Sequence, residues 1–465
     1  MKIIICGAGQ VGYNIARQLA TEHNDLTVID RSEDLIQRIN DTLDVQGIVG
    51  HGAVPDILES AGAPDAEMII AVTASDETNM VICQIAHSLF NVPRKIARVR
   101  NQGYLDLRWR QLFSRDHMPI DVIISPEREV ARTILDRLDV PGAFETASFL
   151  DGHVRVLGVR LNDNCPVVNT PLRQLTELFP DLNIVVTGIY RDDKLVVPGG
   201  DDQMFVGDEI YFVSDTEHVD RALSIFGHEE EEARRVLIIG GGNIGLYLAQ
   251  ELEETHPNVR VKIIEERAAR AAVVADRVSR AVVLQGNGLD EEILREANVQ
   301  DTETVVALTN DDETNILSAL LAKRAGAERT MVLVNSPNYA PLQVSLGIDV
   351  FVDPRATTVS TILEQLRRGR IRGVRSVRDA AAEIIEAEAL ETSPLVGKPL
   401  RDIDLPAGIK VGAVMREAEG KGKAKIIIPR GDTRIKGGDR VVMFALKDKV
   451  KTVENMFRVG LEFFS

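Results

Sequence analysis

Cysteine, aromatic residues, basic excess and long apolar runs are all scarce in this sequence. Only Cys6, Cys83 and Cys165 occur in 465 residues, an odd and scattered set with no metal-ligand spacing. That excludes a disulfide framework and points to reduced thiols in a cytosolic compartment. No stretch approaches the roughly 18 consecutive apolar residues of a membrane span. The apolar opening run is broken at once by Gly7 and so is not read as a signal segment. Any membrane role must therefore go through a partner, without direct insertion. The formal net charge of −17 argues against nucleic acid or an anionic membrane surface as the main partner. Catalytic signatures are missing too: there is no Gly-x-Ser-x-Gly, Cys-x-x-Cys, His-Glu-x-x-His or Walker-type Gly-Lys-Ser/Thr. No catalytic residue and no metal ligand is assigned.

What is present is a packed, multi-domain composition, 44% apolar and 27% charged, in a chain longer than one hydrophobic core usually organises. A long internal repeat divides it. The run from Lys2 to Gly12 is echoed from Arg235 to Gly245, Ile70 to Asn79 from Val306 to Asn315, and Ser125-Pro126 by Asp353-Pro354. Order and spacing are kept, so the halves are copies. Short β-branched runs, such as Ile3 to Cys6 and Met68 to Val72, alternate with amphipathic stretches. That pattern requires a parallel sheet covered by helices on both faces.

The expected fold class is α/β, with two tandem Rossmann-like doubly wound sheets, each followed by a crossover helix and a small α+β domain. The expected boundaries are 1–124 for the first large domain, 125–142 for its crossover helix and 143–227 for the first small domain. An acidic linker, 228–234, leads to the second large domain at 235–352, the second crossover helix at 353–371 and the second small domain at 372–453. A tail at 454–465 completes the chain.

Each large segment carries Gly-x-Gly-x-x-Gly between an apolar strand and a helix: Gly7, Ala8, Gly9, Gln10, Val11 and Gly12, then Gly240, Gly241, Gly242, Asn243, Ile244 and Gly245. Such glycines allow a tight turn, close approach of the backbone to a pyrophosphate and close helix packing, while the helix N-terminus supplies N–H donors. An acid follows at the end of each second strand, Asp30 and Glu265. A carboxylate there accepts from ribose hydroxyls and repels a 2′-phosphate, favouring NAD(H) or adenosine nucleotides over NADP(H). Thr73-Ala74 and Thr309 lie just past the fourth strands, where ligands of open parallel sheets sit. Asp76 and Glu77 read as acids in a first helical turn. His51, in Gly50-His51-Gly52, is the one histidine placed at a ligand edge.

Arg98 and Arg100 fall on one side of a fifth strand, where they either clamp phosphates or form a surface ion pair. The matching second segment places Val332 and Val334 opposite them, so the first site is expected to hold the more highly charged nucleotide. An NAD-dependent oxidoreductase and a nucleotide sensor with a soluble partner are the alternative functions. The first would need a proton-transfer group in a substrate domain, and the small segments offer mostly apolar strands and surface charge.

These motifs together resemble the RCK (also called KTN) family of regulatory subunits of Trk potassium-uptake systems, over nearly the whole chain. The residues that carry the likeness are the first glycine loop, Asp30, Ala71 to Thr73 with Asp76-Glu77-x-Asn79, Arg98 to Asn101 and Ile124 to Glu127, followed by the second copy. The resemblance implies NAD(H) and possible ATP/ADP as ligands, at the glycine loops, Asp30, Thr73-Ala74 and Arg98, and at Gly240 to Ile244, Glu265 and Thr309. It implies a homotetramer, cytoplasmic and peripheral at the inner face of the cell membrane, bound to an integral membrane potassium translocator of the Trk type. One departure is local: the family pattern of Gly followed by an acid or amide after the third strand is kept in Gly286-Asn287-Gly288 but replaced by Gly50-His51-Gly52 in the first copy.

Overall fold

The structure is a computed structural model that describes residues 1–20, 24–179, 182–230, 233–365, 371–378, 381–417 and 424–457. Its first sheet contains β1 (Lys2–Cys6), β2 (Asp25–Asp30), β3 (Gln46–Val49), β4 (Met68–Ala71), β5 (Arg94–Arg98) and β6 (Val122–Ile124). They run parallel in the order β3-β2-β1-β4-β5-β6. Ile3, Ile4 and Ile5 are fully buried, as expected of a strand covered on both faces, where each branched side chain contributes about 1.5–3 kcal/mol. Helices α1 (Gln10–Ala20), α2 (Glu33–Thr42), α3 (Pro55–Ser60) and α4 (Asp76–Ser88) connect the strands, and α5 (Pro126–Leu138) leads out of the sheet. Ser32 caps α2 through Leu35 N, and Ser75 caps α4 through Thr78 N, which fixes where each helix begins. The strand order reverses between β1 and β4, so the glycine loop and the loop after β4 lie side by side at the carboxyl edge.

An antiparallel sheet follows: β7 (Glu145–Phe149), β8 (Val154–Arg160), β9 (Ile184–Arg191), β10 (Lys194–Val196) and β11 (Glu209–Asp215), ordered β10-β9-β11-β8-β7. Helices α6 (Leu172–Leu178) and α7 (Val219–Ile225) accompany it.

The second half repeats both sheets. Strands β12 (Arg235–Ile239), β13 (Arg260–Glu265), β14 (Val282–Gln285), β15 (Thr304–Ala307), β16 (Arg329–Leu333) and β17 (Val350–Val352) take the order β14-β13-β12-β15-β16-β17. Their helices are α8 (Asn243–Thr255), α9 (Ala268–Ala275), α10 (Glu291–Glu296), α11 (Asp312–Arg324), α12 (Gln343–Leu346) and the outgoing α13 (Pro354–Glu364). The last sheet contains β18 (Ile371–Val377), β19 (Ala382–Glu388), β20 (Ile409–Arg416), β21 (Lys425–Ile427) and β22 (Arg440–Leu446), with α14 (Val450–Met456) after it. Of the expected tail, residues 458–465 lie outside the described residues, as do 231 and 232 of the acidic joint and 366–370 after α13. Among the described residues no helix is long and apolar enough to cross a membrane.

The chain divides by contact into two compact units, residues 1–135 with 234–365 and residues 136–233 with 366–465. In the first unit the two large modules pack reciprocally. Helix α1 contacts α13, and the Arg128 guanidinium of α5 lies 5.2 Å from the ring centroid of Tyr247 on α8. Each glycine-loop helix thus rests against the other module's outgoing helix. In the second unit the small domains share a core, in which Phe149, Tyr211 and Val213 meet Ile384, Val442 and Phe444. Arg440 bridges them, paired with Glu386 at 2.5 Å and with Asp151 of the other domain at 2.5 Å.

Candidate nucleotide site

The three glycines of each Gly-x-Gly-x-x-Gly motif are needed for different reasons. Gly7 has φ of +113°, and a Cβ there would lie 2.9 Å from the Val72 carbonyl carbon; a Cβ on Gly12 would run into the Gly7 carbonyl oxygen. Around Gly9, by contrast, a Cβ would meet nothing within 4 Å. The second loop repeats this: Gly240 has φ of +110° and a Cβ there would press on the Leu308 backbone, a Cβ on Gly245 would run into the Gly240 carbonyl, and one on Gly242 would meet nothing within 4 Å. Packing within the protein therefore demands the first and third glycines. The middle one leaves clear the face by which a pyrophosphate would approach the N-terminus of α1 or α8.

The acids brace these loops. Asp30 Oδ2 accepts from Ala8 N at 2.7 Å and Oδ1 from Ser32 N at 2.9 Å. Glu265, which is buried, accepts from Gly241 N at 2.9 Å through Oε2, and through Oε1 from Arg267 N at 3.1 Å and Arg267 Nε at 3.2 Å. A carboxylate has about four acceptor positions, so Asp30 retains capacity for ribose hydroxyls.

At the fourth strands, fully buried Asn79 ties loop to sheet. Its Oδ1 accepts from Thr73 N at 2.8 Å and Thr73 Oγ1 at 2.7 Å, and its Nδ2 donates to Thr73 O at 3.3 Å and Arg98 O at 2.9 Å. Asn315 repeats the pattern with Thr309 and Leu333 O. Thr73 and Ala74 thus stand in a loop clamped against β5. Asp76 is in the first turn of α4 as the sequence implies, but its carboxylate is buried and accepts from Arg100 N at 3.0 Å and Asn101 N at 2.8 Å. Glu77, also in that turn, accepts from Ser75 Oγ at 2.9 Å and Tyr104 Oη at 3.2 Å; its own backbone N–H first, and then these two bonds, hold its carboxyl below the usual range. Asp312 receives Asn335 N and Ser336 N in the same way.

These matched bonds correct the pairing of the fifth strands. Arg98 corresponds to Leu333 and Arg100 to Asn335, one residue later than Val332 and Val334. Arg100 moreover lies beyond β5, which ends at Arg98. The second module still has no guanidinium at these positions.

His51 and Asn287 stand in the loops after β3 and β14. His51 Nδ1 accepts from Ala53 N at 3.2 Å, and Asn287 Oδ1 from Leu289 N at 2.9 Å. The imidazole thus does the same local turn-closing work as the amide, which gives the departure at His51 a structural reason.

A cavity of about 580 Å³ in the first unit joins both modules. Val11, Arg98, Arg100 and Glu127 line it from the first, and Gly242, Asn243, Ile244, Arg267 and Arg270 from the second. Arg98 Nη2 donates to Thr73 O at 2.7 Å, while its Nε is buried without a partner. Burial, and then the neighbouring Arg100, lower the Arg98 pKa; a guanidinium stays charged regardless. Arg100 Nε pairs with Glu127 Oε1 at 3.2 Å, and Glu127 Oε2 is again buried and unpartnered. Arg100 therefore does form an ion pair, whereas among the described residues Arg98 does not. Arg270 Nε donates to Gly241 O at 2.7 Å. The sequence motifs contain Glu127, Asn79 and Asn315 without assigning the ion pair of the first or the bracing role of the other two, and they leave out Arg267 and Arg270. The spacing of Arg267 and Arg270, two and five residues after Glu265, was the available signal for that pair.

Tandem doubly wound sheets with open-faced glycine loops, each followed by a small antiparallel domain, define a duplicated nucleotide-binding fold of the RCK class. The TrkA-N domain matches residues 3–126 and 236–354, and the TrkA-C domain residues 156–227 and 384–458. The chain is 55% identical over 464 residues to the Trk system potassium uptake protein TrkA of Azorhizobium caulinodans, covering 100% of both chains. To that of Halomonas elongata it is 40% identical, again covering 100% of both. The GsuK RCK domain shares the fold at a TM-score of 0.57 and 17% identity, over 98% of this chain and 94% of that one. The GsuK channel bound to NAD does so at 0.59 and 17%, over 98% and 78%. The chain belongs to the family of Trk system potassium uptake proteins TrkA.

Proposed function

We propose that this chain is the peripheral, cytoplasmic regulatory subunit of a potassium-uptake system, in which NAD(H) or ATP/ADP binds at the glycine loops and gates an integral membrane potassium translocator. The observation that carries this reading is the cavity lined by both modules. A nucleotide on one loop touches groups of the other module, so its affinity depends on the angle between them. A ligand shifts a conformational equilibrium only through such differential contact.

The residues present fit the ligand. Open space at Gly9 and Gly242 admits a pyrophosphate, Arg98 Nε offers an unused buried donor, and Asp30 can take ribose hydroxyls. The nucleotide acts as an allosteric ligand, and no hydride transfer is proposed. Relatives named as potassium uptake proteins support the translocator as partner, and the GsuK channel bound to NAD supports the ligand class. A homotetramer is the proposed assembly.

The test is potassium flux through the translocator in vesicles, with the chain added and with NADH, ATP or neither. Nucleotide-dependent flux is expected. Flux unchanged by the chain, while calorimetry shows the nucleotides bound, would remove the gating role.

A further inference from the structure

We infer that the second module's site accepts a 2′-phosphorylated adenine dinucleotide of the NADP(H) type, with Arg267 and Arg270 receiving the added phosphate; this rests on the nucleotide-binding reading above. In sheets of this strand order the acid ending the second strand faces the adenine ribose, and a nearby arginine is what accommodates a 2′-phosphate. Glu265 occupies that place, yet both its oxygens are already engaged: Oε2 by Gly241 N, and Oε1 by Arg267 through its backbone N and its Nε. The carboxylate that would repel a phosphate is thus paired with a cation two residues further on.

Arg270 adds a second cation in a fixed position. Its Nε is held by Gly241 O at 2.7 Å and its Nη2 donates to Asn243 Oδ1 at 3.4 Å, which fixes the guanidinium along the glycine loop. Both arginines line the same cavity as Gly242 and Asn243. Glu266, the other nearby acid, accepts from Asn287 Nδ2 at 3.3 Å.

The first module is built differently at the matching positions. Ser32 N meets Asp30 as Arg267 N meets Glu265, so Ser32 stands for Arg267 and Leu35 for Arg270. Residues 30 to 35 hold two more acids than bases, whereas residues 265 to 270 hold equal numbers. The same added phosphate is therefore repelled at the first site and received at the second. A polyphosphate such as that of ATP offers similar chemistry to the same arginines, and the experiment must separate the two.

The test is calorimetric titration of the full chain with NADH, NADPH and ATP. NADPH should fill one site per chain where NADH fills two. With the first site blocked by Gly9→Asp, NADPH should bind within about threefold of NADH or tighter; with the second blocked by Gly242→Asp, NADPH should bind at least about tenfold more weakly than NADH. In the Gly9→Asp chain, Arg267→Gln with Arg270→Gln should weaken NADPH about tenfold more than NADH. NADPH tenfold weaker than NADH at the second site, or an NADPH stoichiometry of zero or two in the unaltered chain, would overturn the inference while leaving nucleotide binding intact. Equal weakening of NADH, NADPH and ATP by the arginine pair would place the guanidinium groups on phosphates common to all three and overturn it too. No binding of any of the three would remove the nucleotide-binding reading itself, and this inference with it.

Discussion

Gly9 and Gly12 are both glycine, and both belong to one motif, but the structure asks different things of them. A methyl group on Gly12 collides with the Gly7 carbonyl, whereas one on Gly9 meets no protein atom. Gly12→Ala is therefore expected to lower stability by about 1–3 kcal/mol through overpacking. Gly9→Ala should leave the melting temperature nearly unchanged while weakening NADH, because the added methyl group occupies ligand space. Thermal melting beside calorimetry separates the two. A Gly9→Ala chain that melts early and still binds normally would mean that the open face is not the ligand's. At Asp30, loss of the carboxylate removes the Ala8 brace and, with it, the proposed ribose acceptor. Asp30→Ala should cost NADH binding about 1.5–3 kcal/mol, the usual worth of a hydrogen bond to a charged group.

At the scale of elements, the asparagines Asn79 and Asn315 join the start of one helix to the loop after one strand and the end of the next. Each makes four hydrogen bonds from a fully buried position. Truncation would leave Thr73 N and Arg98 O without partners, so Asn79→Ala is expected to destabilise the chain by about 1–3 kcal/mol. Denaturant unfolding reads this directly; an unchanged midpoint would mean that water replaces the amide. Strands such as Ile3 to Cys6 were legible because a two-sided buried strand must be apolar throughout, and the loops because glycine and Ser-capped helices punctuate them. The offset of Arg98 against the second copy was not legible. Apolar neighbours on both strands make several alignments equally good, and the bonds to Asn79 and Asn315 and to Asp76 and Asp312 fix which backbone groups correspond.

The whole molecule is two copies of one plan, yet its compact units do not follow the chain's halves. Large module packs with large, and small domain with small. As a result Arg98 and Arg100, assigned from the sequence to the first site, line a cavity with the second loop. The charge that was expected to give the first site the more anionic ligand is shared. We expect Arg98→Gln to weaken ATP even in the Gly9→Asp chain, where only the second loop can bind, and to flatten its salt dependence. Loss confined to the Gly242→Asp chain would show that Arg98 serves the first loop alone. Turnover is expected to be absent: sustained NADH oxidation with a simple oxo acid, above a Gly9→Asp, Gly242→Asp control, would argue for a dehydrogenase.

The sequence by itself determined the duplication, the parallel sheets, the strand-rich small domains, the glycine loops and their acids. Each of these is local: a run of β-branched residues, a turn that only glycine can make, a carboxylate at a strand's end. Tertiary structure alone decided what shares a cavity. Arg98 and Arg270 are far apart in the chain, and no periodicity encodes that α1 rests on α13 or that the two modules close on each other. That choice follows from which apolar helix faces find each other on folding, and it brings arginines of both modules to the lining of one cavity.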